Sequence, residues 1–230
     1  MAAPKKKNQK KKLPRLRLSR AAIEDIYRHL ETLDPEPQTE LNYTNPYTLV
    51  VAVALSAQST DIGVNKATKA LFAKADNPRD MLALGEDSVR GHIKTIGLYR
   101  NKAKNVIALS RMLIDDFGGQ VPEDRDALIR LPGVGRKTAN VVMNVAFGHA
   151  TMAVDTHIFR VGNRTGMAPG KDPLEVELNL LKAMPEGYGL HAHHWLILHG
   201  RYTCIARKPK CYNCAIVDIC KFKDKTKAAG

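Results

Sequence analysis

All four cysteines of this 230-residue chain lie between positions 204 and 220, spaced C-x6-C-x2-C-x5-C: Cys204, Cys211, Cys214 and Cys220. A secreted protein stapled by disulfides spreads its cysteines so that they close long loops. Four thiols gathered into so short a segment point instead to a metal. The chain must therefore wrap one short C-terminal segment around a metal centre and build the rest of its core without covalent help. Zinc and an iron–sulfur cluster both accept four thiolates. Structural zinc sites pair two short knuckles, and only one short pair is present here, so zinc is the less natural occupant. Between the first two cysteines lies IARKPK, with Arg207, Lys208 and Lys210. A basic loop tied at both ends by metal suits phosphate.

The residues before the cysteines read as helices. Ser19 is placed to cap a helix whose apolar positions Ile23, Ile26, Tyr27 and Leu30 fall at i, i+3, i+4 and i+7. Asn45-Pro46 opens YTLVVAVALSAQ, apolar enough for a helix buried on most sides. Val64, Ala67, Leu71 and Phe72 mark another helix, and Pro78 and Gly85 bracket a short one. Asp172-Pro173 with Glu175 reads as a capping box before Leu174–Met184. No segment alternates as a strand does, so the expected class is all-α. The longest apolar run, Leu49 to Leu55, is far shorter than the ~20 residues of a membrane span. The basic start is not followed by the apolar stretch of a secretory leader.

LPGVGRKTA carries the clearest chemistry. Pro132 stops one helix, and Gly133 and Gly135 permit positive φ and close backbone approach to a ligand. The next helix begins at about Arg136. Its first N–H groups, at the positive end of the helix dipole, form an anion site that suits a nucleic-acid phosphate and is blind to base sequence. Lys137 falls in the first turn of that helix, either as a phosphate contact or as a nucleophilic amine. IKTIGLYRNKAKNV (93–106) aligns without gaps with IRLPGVGRKTANVV (129–142), which reads as two related helix–turn–helix hairpins. Leu98 then echoes Val134, and Asn101 stands where Lys137 stands. In AVDTHIFR, Asp155 is an N-cap for a helix starting at Thr156, and a capping carboxylate is held rigid and ionised. The nearby His191, His193, His194 and His199 are read as packing and hydrogen-bonding residues, since no carboxylate joins them as a ligand set.

The formal charge of +13 locates the partner less well than these motifs do. Residues 1–20 hold nine Lys and Arg and no acid, residues 221–230 net +3, and the intervening 200 residues net only +1. Residues 1–18 read as a disordered basic tail and 222–230 as a second one, suited to nonspecific polyanion contact.

LSAQSTD, IGLYRNKA, LPGVGRKTANVV, VDTHIFRV and HHWLILHGRYTC with the following cysteines occur in order, and together they resemble the endonuclease III family of DNA glycosylases. The resemblance runs from Ser19 to Cys220. It implies a two-domain helix-hairpin-helix fold: a six-helix barrel over 39–149, and an iron–sulfur domain built from 19–38 and 150–221 around a [4Fe–4S] cluster on the four cysteines. It implies base excision repair of oxidised or ring-saturated pyrimidines in double-stranded DNA, with lyase activity at abasic sites, by a monomer. On this sequence Lys137 becomes the nucleophile and Asp155 its electrostatic and proton-transfer partner. Gln58 and Leu98 would occupy and wedge the duplex as the damaged base is flipped out. Gly133, Val134, Gly135, Arg136, His157, Lys208 and Lys210 would contact DNA, and Ser56 and Asp61 would border the lesion pocket. The implied location is the bacterial cytoplasm, with the nucleoid, or the nucleus or mitochondrion of a eukaryote. The competing reading is a noncatalytic DNA-binding hairpin module with a structural metal.

Overall fold

The structure, a computed structural model, describes residues 13–228. It is helical throughout, with no strand among the described residues. Among the described residues, eleven α-helices and one 3-10 turn gather around two hydrophobic cores.

The first core is built by α2 (Pro46–Leu55), α3 (Asp61–Phe72), α4 (Pro78–Leu84), α5 (Glu86–Ile93), α6 (Tyr99–Phe117), α7 (Arg125–Arg130) and α8 (Arg136–Phe147). At its centre is α2, which has almost no polar face: Tyr47 through Val53 and Leu55 are all buried. A helix apolar all round is stable only when surrounded, and α3, α6 and α8 surround it. Asn45 and Thr48 close its N-terminus with a reciprocal capping box. Thr60, Asn77 and Asp124 cap α3, α4 and α7. Truncating a central residue such as Leu55 to Ala would cost about 2–5 kcal/mol, because so enclosed a site cannot collapse onto the hole.

The second core joins α1 (Arg20–Leu33) to α9 (Thr156–Thr165), α10 (Pro173–Ala183) and α11 (Ala192–Tyr202). Ser19 caps α1, whose buried stripe is Ile23, Ile26, Tyr27 and Leu30. Tyr27, Tyr188 and Trp195 pack their rings together at centroid separations of 5.7–6.3 Å. The indole N–H of Trp195 donates to the carbonyl of Asp34, just past the end of α1.

Three local expectations need correction. The basic tail does not run to residue 18. Leu18 is buried, the Arg17 N–H donates to the Gly166 carbonyl, and Asn179 donates to the Pro14 carbonyl. These apolar and backbone anchors outweigh the local excess of charge; residues 1–12 of that tail lie outside the described residues. The C-terminal segment is not a free tail either. Phe222 lies beneath the Arg164 guanidinium, 4.7 Å from its carbon, and Thr226 bonds to the Pro209 carbonyl and accepts from Cys211 N–H. At α10, Asp172 does cap, but the Glu175 carboxylate reaches one residue further back, to the Lys171 N–H.

Candidate nucleic-acid interface and active site

The two hairpins are α5–α6 and α7–α8. In the second, Gly133 takes the left-handed conformation at φ +81°, and a Cβ there would stand 3.1 Å from the Asn105 side chain of α6. Both conformation and space therefore demand glycine. Gly135 is different from its expectation. Its φ is −93°, ordinary extended backbone, and no atom lies within 4 Å of where a Cβ would be. The fold does not require glycine there; the open space above it is what a close-lying ligand needs.

The aligned turns also differ. In the first hairpin the left-handed residue is Leu98, at φ +59°, one position later than in the second. Leu98 stands 57% exposed, whereas its counterpart Val134 is 5% exposed and packs into the first core. The Val134 side chain is thus a core residue, not a surface contact. A left-handed leucine costs about 1–2 kcal/mol, and a side chain 57% exposed recovers little of it by burial. Gln58, also left-handed at φ +55° and exposed, lies beside this turn, its carbonyl 3.6 Å from a notional Gly97 Cβ. Behind them the buried Lys102 donates from Nζ to Ser59 Oγ at 2.9 Å, tying α6 to the 56–60 turn. Burial pulls the Lys102 ammonium below its usual range.

Neither α6 nor α8 has a side-chain N-cap, unlike most helices of the fold. Their first N–H groups are left facing outward, as an anion site requires. Lys137, in the first turn of α8, is exposed at the mouth of a cleft shared with Ser56, Asp61, His193, His194 and Arg201. Asp155 does not line that cleft but caps α9, its Oδ1 accepting from His157 and Ile158 N–H at 2.8 and 2.9 Å. Lys137 and Asp155 both act electrostatically on Asp61. Burial pushes the Asp61 carboxyl up, the Lys137 charge pulls it down, and Asp155 pushes it up again. A second cavity continues from Asp61 and Arg201 past Ser59 to His157. His157 Nδ1 lies 3.2 Å from the Arg160 guanidinium.

Sequence reasoning missed several residues of this cleft. Arg201 on α11 donates to Asp61 Oδ2 at 2.7 Å and to Glu40, which Tyr202 also contacts. His193 is buried, with its Nδ1 unpartnered. Arg136, expected to reach DNA, instead donates two parallel hydrogen bonds to the Glu177 carboxylate of α10, at 2.9 and 2.7 Å. None of these long-range pairs leaves a periodic or spacing signal in the chain.

The histidines supply a pH test. Burial brings His194 down to about 4, with His191 adding to the effect. The unfolded imidazole takes its proton near 6.5. Between those values the unfolded chain binds more protons than the folded one, so stability falls as pH drops from about 6.5 toward 4. Urea unfolding should show this decline, shallower in His194→Gln; identical slopes in both proteins would clear His194 of the effect.

The four cysteines line one small cavity, with Lys210, Phe222 and Lys225 at its edge. Arg164 approaches the Cys204 Sγ at 3.6 Å, His199 Nε2 lies 3.8 Å from the Cys214 Sγ, and the Phe222 N–H donates to the Cys220 Sγ at 3.5 Å. Donors aimed at sulfur suit a thiolate set. A tetrahedral ion draws its sulfurs in to bonds of about 2.3 Å, whereas a cluster interposes its own irons and sulfides and spreads its thiolates around a larger hole. The four cysteines, lining one cavity, are placed to hold a thiolate-bound group. Arg164 also pins the intervening loop through the Ile205 and Ala206 carbonyls, leaving Lys208, at φ +50°, and Lys210 exposed.

Comparison with known proteins places this geometry. Residues 51–186 match the family model of the HhH-GPD superfamily base excision DNA repair proteins. The chain is 56% identical over 208 residues to endonuclease III of Escherichia coli (strain K12), covering 90% of this chain and 99% of that protein. It is 57% identical over 201 residues to endonuclease III of Haemophilus influenzae, covering 87% and 95%. The solved structure of a trapped endonuclease III–DNA covalent intermediate superimposes with a TM-score of 0.83 at 46% identity, over 89% of this chain and 96% of that one. A thermostable thymine-DNA glycosylase follows at a TM-score of 0.77 and 27% identity, over 88% and 96%.

Proposed function

The chain belongs to the HhH-GPD superfamily of base excision DNA repair proteins, and within it to the endonuclease III family, a DNA glycosylase/AP lyase class, and from that premise we propose that Lys137 is its nucleophile and Asp155 its charge partner. The observation that carries the reading is Lys137 itself: an exposed amine in the first turn of an uncapped helix, at a cleft where its charge and that of Asp155 act on the same carboxyl group. That a similar endonuclease III was trapped covalently on DNA supports a nucleophile in this fold.

The substrate is double-stranded DNA carrying an oxidised or ring-saturated pyrimidine, or an abasic site. A stacked base is beyond reach of the cleft, so the nucleotide is flipped out. The Lys137 amine, having given up a proton to solvent, attacks C1′; the glycosidic bond breaks with its electron pair going to the base, which takes up a proton. The developing positive charge on the sugar is stabilised by the Asp155 carboxylate. The C1′–O4′ bond then breaks with its electron pair going to O4′, which takes up the proton released by nitrogen, leaving an imine between Lys137 and C1′. Loss of a C2′ proton expels the 3′ phosphate by β-elimination, and water hydrolyses the imine. Borohydride reduction of that imine is the direct test, argued below.

The α6 and α8 N-termini, Gly133 and Gly135, His157, and the Lys208–Lys210 loop are assigned to phosphate, and Ser56 and Asp61 to the pocket wall. The Val134 and Arg136 side chains are not, since both are engaged internally. Cys204, Cys211, Cys214 and Cys220 would hold a [4Fe–4S] cluster. When bound, it supplies metal–thiolate bonds that knot residues 204–220 into a rigid loop. Protein carrying it is brown, and a zinc form is colourless. The two cores support a division into a barrel over 39–149 and a cluster domain over 19–38 and 150–221. We place the enzyme in the bacterial cytoplasm as a monomer; among the described residues no helix is long and apolar enough to cross a membrane.

Gln58 and Leu98 are assigned to the vacated base stack. Leu98→Gly separates this role from stability. It removes the wedge and also the left-handed strain, offset by the unfolded-chain freedom of glycine, so stability should change by less than about 1 kcal/mol. Single-turnover base release should slow about tenfold, since an apolar wedge offsets part of the unstacking cost. An unchanged rate would remove Leu98 from the mechanism.

A further inference from the structure

The two residues assigned to the reaction sit on different halves of the molecule. Lys137 rides on α8, whose buried face belongs to the first core, and Asp155 caps α9, which belongs to the second. Their alignment therefore depends on what fastens one half to the other. At a reacting centre an error of 1 Å can cost on the order of 10²-fold in rate.

The residue immediately before Lys137 makes such a fastening. Arg136 Nε donates to Glu177 Oε2 at 2.9 Å and its Nη2 to Oε1 at 2.7 Å. Glu177 projects from α10, and its side chain is only 5% exposed. A carboxylate so buried is held to its partner, because parting from it would leave an uncompensated charge. The bidentate fork fixes angle as well as distance. On the far side of the cleft Arg201 of α11 is bonded to Asp61 of α3 and to Glu40. The first turn of α8 is thus pinned to the second half one residue away from the amine.

We propose that the Arg136–Glu177 pair is a clasp between the two halves that positions Lys137 against Asp155. It is a positioning pair, not a phosphate contact, and it rests on the assignment of Lys137 and Asp155 above. Lysine at 136 would keep the charge but lose the fork.

The test uses the full chain with Glu177→Gln and, as a milder change, Arg136→Lys. Three quantities are read on protein shown by circular dichroism to be folded at the assay temperature. They are the single-turnover cleavage rate at saturating enzyme, the affinity for a duplex with an uncleavable abasic analogue, and borohydride trapping. The expected result is a rate about tenfold lower in each variant, with affinity held within about twofold. A pair that serves stability alone would leave the saturated rate of folded protein unchanged, and that outcome overturns the proposal. Weaker affinity with an unchanged saturated rate also overturns it, by making Arg136 a phosphate contact. If Glu177→Gln does not fold, Arg136→Lys carries the same reading. Lys137→Gln is run alongside: an adduct persisting there overturns the parent assignment, whereas an inactive Lys137→Gln beside fully active clasp variants overturns only the clasp.

Discussion

Lys137→Gln will fold normally and cut DNA at least about 10³-fold more slowly than the unaltered chain, because the substitution removes the only group assigned to form a bond with the substrate. Lys137 is exposed and makes no ion pair among the described residues, so the change should alter stability by no more than about 0.5 kcal/mol. Affinity for abasic DNA should survive, since the α6 and α8 amides, Gly135 and the loop at Lys208 remain. Glutamine keeps the length and polarity of the side chain, so lost activity with retained binding reads as lost chemistry. Retained cleavage would move the nucleophile elsewhere.

Asp155 carries two duties, and two substitutions separate them. Its Oδ1 accepts from the His157 and Ile158 N–H groups at the start of α9. Asparagine caps nearly as well as aspartate, so Asp155→Asn should leave the melting temperature almost unchanged. It removes the negative charge from beside the developing sugar cation, and the single-turnover rate should fall on the order of 10²-fold. Asp155→Ala removes cap and charge together. It should show the same loss of rate plus a destabilisation of about 1 kcal/mol. If Asp155→Asn retained full rate, the carboxylate would be a cap and nothing more.

What the chain discloses follows the range of the interactions involved. Caps are local, so Ser19, Asn45, Asp124 and Asp155 declare helix starts within three residues of themselves. The hairpin is equally local: Pro132, Gly133 and the amine at 137 sit within six positions. The buried α2 is legible because a helix with no polar face has only one place to go. The orientation of turn residues is not local. Leu98 and Val134 align in sequence, yet packing sends one to solvent and the other into the core. Of the two reasons for glycine at 135, positive φ and close approach, the extended backbone leaves only the second. Arg136 and Glu177 are 41 positions apart, and Arg201 and Asp61 are 140 apart. Such pairs arise from how the two cores dock, which no periodicity encodes. For the same reason residues 14–18 and 222–226 look like loose basic chain, although apolar and backbone contacts anchor them.

One amine, at Lys137, is assigned the covalent bond to DNA. Reducing the reaction with borohydride on a duplex containing thymine glycol, digesting the adduct and sequencing the cross-linked peptide by mass spectrometry addresses that bond itself. A single modified residue, Lys137, is expected in the peptide spanning the second hairpin. A DNA remnant on Lys102, Lys208 or any other amine, with Lys137 unmodified, would contradict it.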